Sequence, residues 1–145
     1  MADADQQAAF VARWHLLHWS EGIRRMYWYA WNSPNWGTLW DATTGEHKAA
    51  KAYRQVYSWM VGATMPAACT WSGPTTEHMP KGTIGACLLT RPGGYQALAV
   101  WNTNGPSSYT AAATYTRYRD LDGNTVPITG PITIGYKPIL LEHLP

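Results

Sequence analysis

The sequence predicts an α+β fold in two parts: a helix–strand–helix segment over residues 1–62 and a small antiparallel β-sandwich over residues 63–145. Two observations carry this prediction. Helical periodicity marks the first part and disappears after Thr64. Beyond that point, short alternating runs are separated by evenly spaced turn residues, which is typical of an antiparallel sheet or sandwich. The boundary between the two parts therefore falls at residues 62–68.

The first element is a helix over residues 3–21. Phe10, Trp14 and Leu17 recur at the spacing of one helical face. Asp3 or Asp5 can cap its start. Gly22 follows at the position where a helix commonly ends.

The next two elements are a strand and a second helix. Residues 23–30 are rich in aromatic and apolar side chains, as expected for a strand that is covered on both faces. The second helix begins at Thr43 or Thr44 and ends at Gly62. Its predicted inner face consists of Ala49, Ala52, Tyr53, Val56, Trp59 and Met60. A single strand of this type needs neighbours on both sides, so we interpret this part as lacking a partner or preceding sequence.

The second part contains five predicted strands. Strong turn signals lie between them, among them Pro92-Gly93-Gly94 and Asp122-Gly123-Asn124. The predicted strands cover residues 85–90, 96–101, 115–119, 132–134 and 139–141.

Charge and hydropathy exclude several classes of partner. The formal net charge is only +2, and the eleven Lys and Arg residues are scattered, so we expect no nucleic-acid surface and no polybasic membrane patch. No run is long and apolar enough to predict a membrane span. The residues after Met1 lack the basic and apolar regions of a signal peptide, which indicates either a cytoplasmic protein or a true N-terminus upstream of Met1.

Cys69 and Cys87 flank a short polar segment. Two thiols do not make a zinc site without other ligands, and His78 is the only histidine between them. We favour a disulfide, which would place the protein in an oxidising compartment. Two free buried thiols are the alternative, because the count of cysteines does not decide between them.

Indole rings and short polar side chains are concentrated in residues 25–41. Indoles beside Asn or Asp are suited to carbohydrate, because the C–H face of a sugar packs on the ring while its hydroxyls bond to the polar groups. Some of the nine Trp residues must instead fill the core. The candidate substrate-binding residues are Trp31, Asn32, Asn35 and Trp36, and loop packing is an equal alternative for the last two.

The residues predict no catalytic group, metal site or cofactor. Glycoside hydrolysis normally uses two facing carboxyl groups, and the nine acidic residues offer no such pair. Asp41 lies in the aromatic loop without a visible partner, where it can equally cap the following helix. His15 and His18 lie three apart on the first helix, but without a third ligand we interpret them as packing or surface histidines.

Three stretches resemble a known family: the helix ending in Leu16-Leu17-His18-Trp19-Ser20-Glu21-Gly22, the run Tyr27-Trp28-Tyr29-Ala30-Trp31, and Trp36-Gly37-Thr38-Leu39-Trp40-Asp41 with the helix that follows. They are similar to the C-terminal end of the clan A (β/α)8-barrel glycoside hydrolases, near family 39 and the cellulase-like families. Residues 90–97, 118–124 and 137–142 resemble the small β-sandwich that often follows such barrels.

The resemblance implies that residues 26–31 form the eighth barrel strand and that the two helices are the seventh and eighth. Trp31 would be the ring beneath the sugar that is cleaved, at the end of the strand where barrel active sites lie. Strand alternation would put Tyr27, Tyr29 and Trp31 on one face and Trp28 on the helix side. The family also implies a cis peptide bond between Trp31 and Asn32. Its two catalytic glutamates would precede Met1.

We therefore predict that the chain is a fragment of a retaining glycoside hydrolase that acts on an oligosaccharide or polysaccharide. The parent enzyme would be secreted or periplasmic. The partner of this fragment would be the remainder of the barrel, upstream of Met1. A non-catalytic carbohydrate-binding module over residues 63–145 is the alternative. It would need exposed rings, of which Trp71, Tyr95 and Trp101 are candidates, although packing is favoured for them. A structural protein that folds alone is the third possibility.

Overall fold

A computed structural model describes residues 3–32 and 39–143, and these residues form a mixed α+β fold with two helices and several antiparallel sheets. The helices are α1 (Ala4–Ser20) and α2 (Lys48–Met60). A 3₁₀ turn covers Pro92–Gly94. The strands are β1 (Trp40–Asp41), β2 (Gly45–Glu46), β3 (Thr70–Ser72), β4 (Ile84–Thr90), β5 (Gln96–Asn102), β6 (Ser107–Tyr109), β7 (Arg117–Arg119), β8 (Thr125–Pro127), β9 (Ile132–Ile134) and β10 (Ile139–His143).

Helix α1 is confirmed, but its buried face is not the one that the large residues suggested. Asp3 caps its start, because a side-chain oxygen accepts a hydrogen bond of 2.7 Å from the backbone N–H of Asp5. Phe10 is 43% exposed. The buried side chains are mostly small ones: Ala8, Ala9, Val11, Ala12, His15 and Leu16. Small residues on this face let α1 pack closely against α2 and the sheet.

Helix α2 begins at Lys48, four residues after Thr44, so the predicted start is wrong. Thr43 and Thr44 lie instead in the turn between β1 and β2. The carboxylate of Asp41 accepts hydrogen bonds from their backbone N–H groups at 2.8 and 2.7 Å. This side chain stabilises a turn where the sequence suggested a helix cap.

The predicted inner face of α2 is confirmed at Ala49, Ala52, Val56 and Trp59, all of which are buried. Met60 is the last helical residue. Beyond it, the chain reverses at Gly62, whose φ of 72° is the left-handed conformation that glycine adopts without a Cβ clash.

The main sheet has six antiparallel strands in the order β3-β4-β5-β10-β7-β8, and β6 pairs with β9 in a separate two-stranded sheet. All five predicted strands are present, as β4, β5, β7, β9 and β10; β9 has the predicted bounds, and each of the others differs at one end. Strands β3, β6 and β8 were not predicted, and each has only three residues.

The main sheet has a different neighbour on each face. Ala97, Ala99 and Trp101 of β5 belong to a core cluster with residues of α1 and α2. Val100, the intervening residue, belongs to a second cluster with Ile134 of β9. The helices therefore cover one face, and the β6–β9 pair lies against the other. The first cluster contains residues from both sides of position 62, and the division into two domains stays a prediction.

A close approach between strands defines one corner of the core. Gly85 of β4 lies opposite Trp101 of β5 and also opposite Trp71 of β3. The Trp101 indole is completely buried over Gly85 and meets the Trp71 ring edge-on, with 5.7 Å between the ring centroids. A Cβ at Gly85 would lie 2.4 Å from Cζ2 of Trp101, so this position needs glycine.

A disulfide bond joins Cys69 and Cys87. Cys69 immediately precedes β3, and Cys87 is a fully buried residue of β4. The bond links two neighbouring strands beside the core cluster of α1 and α2. It closes a loop between cysteines 18 residues apart, which restricts the unfolded chain.

Candidate functional site

The segment over residues 23–30 is not a strand, because none of the strands described pairs with it. Its burial nevertheless alternates with the period of a strand. Met26, Trp28 and Ala30 are half-buried. On the opposite side, Tyr27 and Tyr29 are 83% and 79% exposed. Trp31 continues this outer row at 42% exposed. We call Tyr27, Tyr29 and Trp31 the aromatic row.

The inward side of the segment packs against both helices. Trp28 meets Phe10 and Trp14 of α1 edge-on, with ring centroids 6.3 and 5.9 Å apart. It also packs against a small core cluster that includes Ala49 and Ala50 of α2. Trp28 is thus a packing residue on the helix side, as the sequence predicted.

Trp31 is held by its backbone and by its ring. Its carbonyl accepts hydrogen bonds from the N–H groups of Leu39 and Trp40, at 2.9 and 3.1 Å. The indole meets the ring of Tyr53 in α2 edge-on, with 6.1 Å between centroids. Part of the indole remains available to a ligand.

Of the other predicted binding residues, Asn32 alone is among the described residues. Asn32 is exposed, next to Trp31. Asn35 and Trp36 lie outside the described residues. The predicted position of the cis peptide bond is wrong, because the cis bond found is between Tyr29 and Ala30 rather than between Trp31 and Asn32.

Asp41 follows this site but is not free to act on a ligand. Beyond the two backbone bonds of the turn, its carboxylate accepts the Thr44 hydroxyl and bonds to Nε2 of His47. The Thr44 side chain and backbone, followed by His47, hold the pKa of Asp41 far below its usual value. Asp41 is therefore ionised at neutral pH, and its carboxylate stabilises the β1–β2 turn through these hydrogen bonds.

The β1–β2 pair adds residues that the sequence analysis did not identify. Trp40 lies directly opposite Glu46 and is 37% exposed. Both carboxylate oxygens of Glu46 bond to the guanidinium of Arg54 in α2. Strands of two residues are too short to show an alternating pattern in the sequence. The sequence therefore does not predict that Trp40 pairs with Glu46, or that Glu46 bonds to Arg54.

A buried carboxylate lies elsewhere, on the helix side of the main sheet. Glu142 of β10 is 2% exposed. Its oxygens accept hydrogen bonds from Arg117 Nε and Arg119 Nη2, both at 2.9 Å, and from the Tyr95 hydroxyl at 2.6 Å. Burial, together with the hydrogen bond to Glu142, raises the pKa of Tyr95 to about 12. We call these four residues the Glu142 cluster.

The Glu142 cluster predicts a loss of stability at alkaline pH. The folded protein retains the Tyr95 proton up to about pH 12, whereas the unfolded chain releases it near its ordinary pKa of 10.0. The contribution of Tyr95 is therefore complete below pH 10 and is lost as the pH rises from there toward 12. In urea unfolding across this range, the stability of the wild type should fall more steeply than that of Tyr95→Phe.

The control for this measurement is Tyr57→Phe, since Tyr57 is 62% exposed on α2. It should follow the wild-type slope. Equal slopes for Tyr95→Phe and the wild type would contradict the role given to Tyr95.

Both histidines of α1 form hydrogen bonds to backbone carbonyls of the same helix. Nδ1 of His15 bonds to the Val11 carbonyl and Nδ1 of His18 to the Trp14 carbonyl, each at 2.8 Å. Within residues 3–32 and 39–143, no three His, Cys, Asp or Glu side chains are grouped as a metal site would require. Over the same residues, neither helix combines the length and apolar character needed to traverse a bilayer.

Comparisons with protein-family models, with curated proteins and with solved structures found no significant match to the chain. The site must therefore be interpreted from its own geometry.

Proposed function

We propose that this chain is the last helix–strand–helix slice of a (β/α)8-barrel glycoside hydrolase, followed by an accessory β-sandwich, and that Trp31 is its sugar platform. In this proposal the complete enzyme cleaves O-glycosidic bonds of a polysaccharide or oligosaccharide by the retaining route. That route needs two carboxyl groups and no cofactor. The glutamates would come from the remainder of the barrel, upstream of Met1.

The observation that carries the proposal is the alternation of residues 26–31. Their inner side chains pack on the two helices, while Tyr27 and Tyr29 project from the other side at 83% and 79% exposed, and Trp31 stays 42% exposed beside Tyr53. In a barrel, one face of each strand meets the helices and the other meets the barrel interior, and neighbouring strands pair with the backbone on both sides. Within the described part of the chain, residues 26–30 have the first of these contacts, and no strand pairs with their backbone.

The place of Trp31 at the far end of this segment supports its role. Barrel active sites lie where the strands end, and Trp31 is the last residue of the row before the loop. Its ring is both partly exposed and held by Tyr53. A rigid ring loses little conformational freedom on binding a sugar, so its stacking energy is retained as affinity.

The disulfide supports the proposed location of the enzyme. Bonds of this kind persist in oxidising compartments and are rare in the cytosol. Together with Cys69–Cys87, this favours a secreted or periplasmic protein.

The non-catalytic binding module has weaker support. Trp101 is completely buried, and Trp71 and Tyr95 pack against the same core cluster. These three rings do not form the exposed platform that a sugar-binding sandwich would need.

The coding DNA upstream of Met1 tests the proposal. We expect an open reading frame that continues into a strand ending in glutamate, and we expect the longer product to hydrolyse a glycoside with retention at the anomeric carbon. A longer product with another fold, or a stop codon just before Met1, would overturn the proposal.

Within that longer enzyme, Trp31→Ala should raise KM and lower kcat. Loss of the stacking contact is worth about 0.5–1.5 kcal/mol, and the ring would act on both the bound sugar and the transition state. Steady-state kinetics measures both constants. Tyr57→Ala, which removes an exposed ring from α2, is the control, and unchanged kinetics for Trp31→Ala would remove this residue from the site.

A further inference from the structure

Trp40 is a second exposed indole beside Trp31. Its backbone N–H donates to the Trp31 carbonyl at 3.1 Å, so the two residues are direct neighbours although they are nine positions apart. Trp40 is 37% exposed and Trp31 is 42% exposed. Exposed indoles are uncommon because the ring is large and apolar, and two of them on hydrogen-bonded neighbouring segments point to a binding surface.

The backbone that carries Trp40 is firmly held. The Asp41 carboxylate closes the turn after it, and β2 pairs with β1 on the other side. The Leu39 carbonyl, one residue before it, accepts a hydrogen bond of 2.9 Å from the N–H of His47, which caps α2. These bonds connect the hairpin to both Trp31 and α2, so the backbone at Trp40 is held in place relative to Trp31.

Charged groups stand on the same face as Trp40. Residues directly opposite in an antiparallel pair project to one side, which places Glu46 beside the indole. Arg54 binds Glu46 through two nitrogens and keeps its side chain 58% exposed. A carboxylate and a guanidinium next to an exposed ring match the hydroxyl groups and the C–H face of a sugar.

We propose that Trp40, with Glu46 and Arg54, forms a second sugar subsite adjoining Trp31, and that the ligand is therefore an oligosaccharide that spans both rings. This deepens the proposed function and rests on it, because Trp31 is the first subsite. The indole of Trp40 stacks on the second sugar ring. Glu46 accepts a hydrogen bond from a hydroxyl group of that sugar, and Arg54 donates a hydrogen bond to one of its oxygens.

The test is calorimetric titration of the full chain with cello-, xylo- and manno-oligosaccharides, from the monosaccharide to the hexasaccharide. For the series that binds, Trp40→Ala should weaken the longer members about tenfold, the effect of losing one stacked ring, and leave the monosaccharide unchanged. Trp40→Phe should retain most of the affinity, which excludes misfolding as the cause. Trp31→Ala should weaken every length.

The results for Trp31→Ala and Trp40→Ala distinguish an error in the second subsite from an error in the proposed function. If Trp31→Ala loses binding while Trp40→Ala binds every length as the wild type does, the second subsite is wrong and the sugar platform stands. If no series binds the wild type, or neither indole affects binding, the second subsite is wrong, and the coding DNA upstream of Met1 then decides the proposed function separately. Tyr57→Ala, which removes an exposed ring from α2 without touching the hairpin residues, should bind as the wild type does.

Discussion

Glu142→Ala is expected to lower the free energy of unfolding by about 3–5 kcal/mol, the cost of removing one partner from a buried ion pair. Glu142 is 2% exposed and neutralises two guanidinium groups. Without it, Arg117 and Arg119 face each other beside the core, and the Tyr95 hydroxyl loses its acceptor. Urea denaturation followed by circular dichroism measures the loss.

The matched control is Glu46→Ala, which removes the same type of side chain from an exposed pair with Arg54. Exposed pairs contribute about 0–1 kcal/mol, so the loss should be much smaller for Glu46, which is more exposed and has a single partner. Glu142→Gln should fall between them, because the amide oxygen still accepts a hydrogen bond while the charge is lost. Equal losses for Glu142→Ala and Glu46→Ala would show that the Glu142 cluster does not stabilise the fold.

Gly85→Ala is expected to destabilise the protein by about 1–3 kcal/mol, the cost of overpacking a filled core. The new methyl group would lie 2.4 and 2.5 Å from two atoms of the Trp101 indole. That ring is fully buried and backed by Trp71, so relief requires the strands to move apart. A lower urea midpoint is the expected measurement.

Gly130→Ala is the control, because a Cβ there meets nothing within 4 Å and its φ is not in the left-handed region. It should be neutral, or more stable by about 0.4–1 kcal/mol through a less flexible unfolded chain. Loss of stability in both variants would mean that glycine is needed for the backbone and not for the space that Trp101 fills. The double variant Gly85→Ala/Trp101→Leu should recover part of the loss if the clash is the cause.

The sequence predicts those helices and strands whose pattern lies within a short run of neighbouring residues. The period of α2, the glycines after both helices and the longer alternating strands all follow from neighbouring residues. The predictions are wrong where the local structure depends on a contact outside that short run of residues. Thr43 and Thr44 resemble a helix start, but the Asp41 side chain makes them a turn. Residues 23–30 have the composition of a strand, yet a strand exists only where a second one pairs with it.

The candidate site shows the same division. Trp31 was identified because indoles and amides are concentrated in its loop. The role proposed for Trp40 depends on pairing with Glu46 and on Arg54 of α2, eight residues beyond Glu46. The Glu142 cluster joins residues 23 to 47 positions apart. No window of sequence contains such contacts, and they become visible only in the folded chain.

The position of β10 has a consequence for biosynthesis. This strand is the last one described in sequence order, yet it lies in the middle of the main sheet, between β5 and β7. While a ribosome is still synthesising it, the nascent chain has two half-sheets with open edges and no strand to join them. Completion of the sheet must therefore wait until residues 139–143 have left the exit tunnel, and until then β3-β4-β5 and β7-β8 remain unjoined.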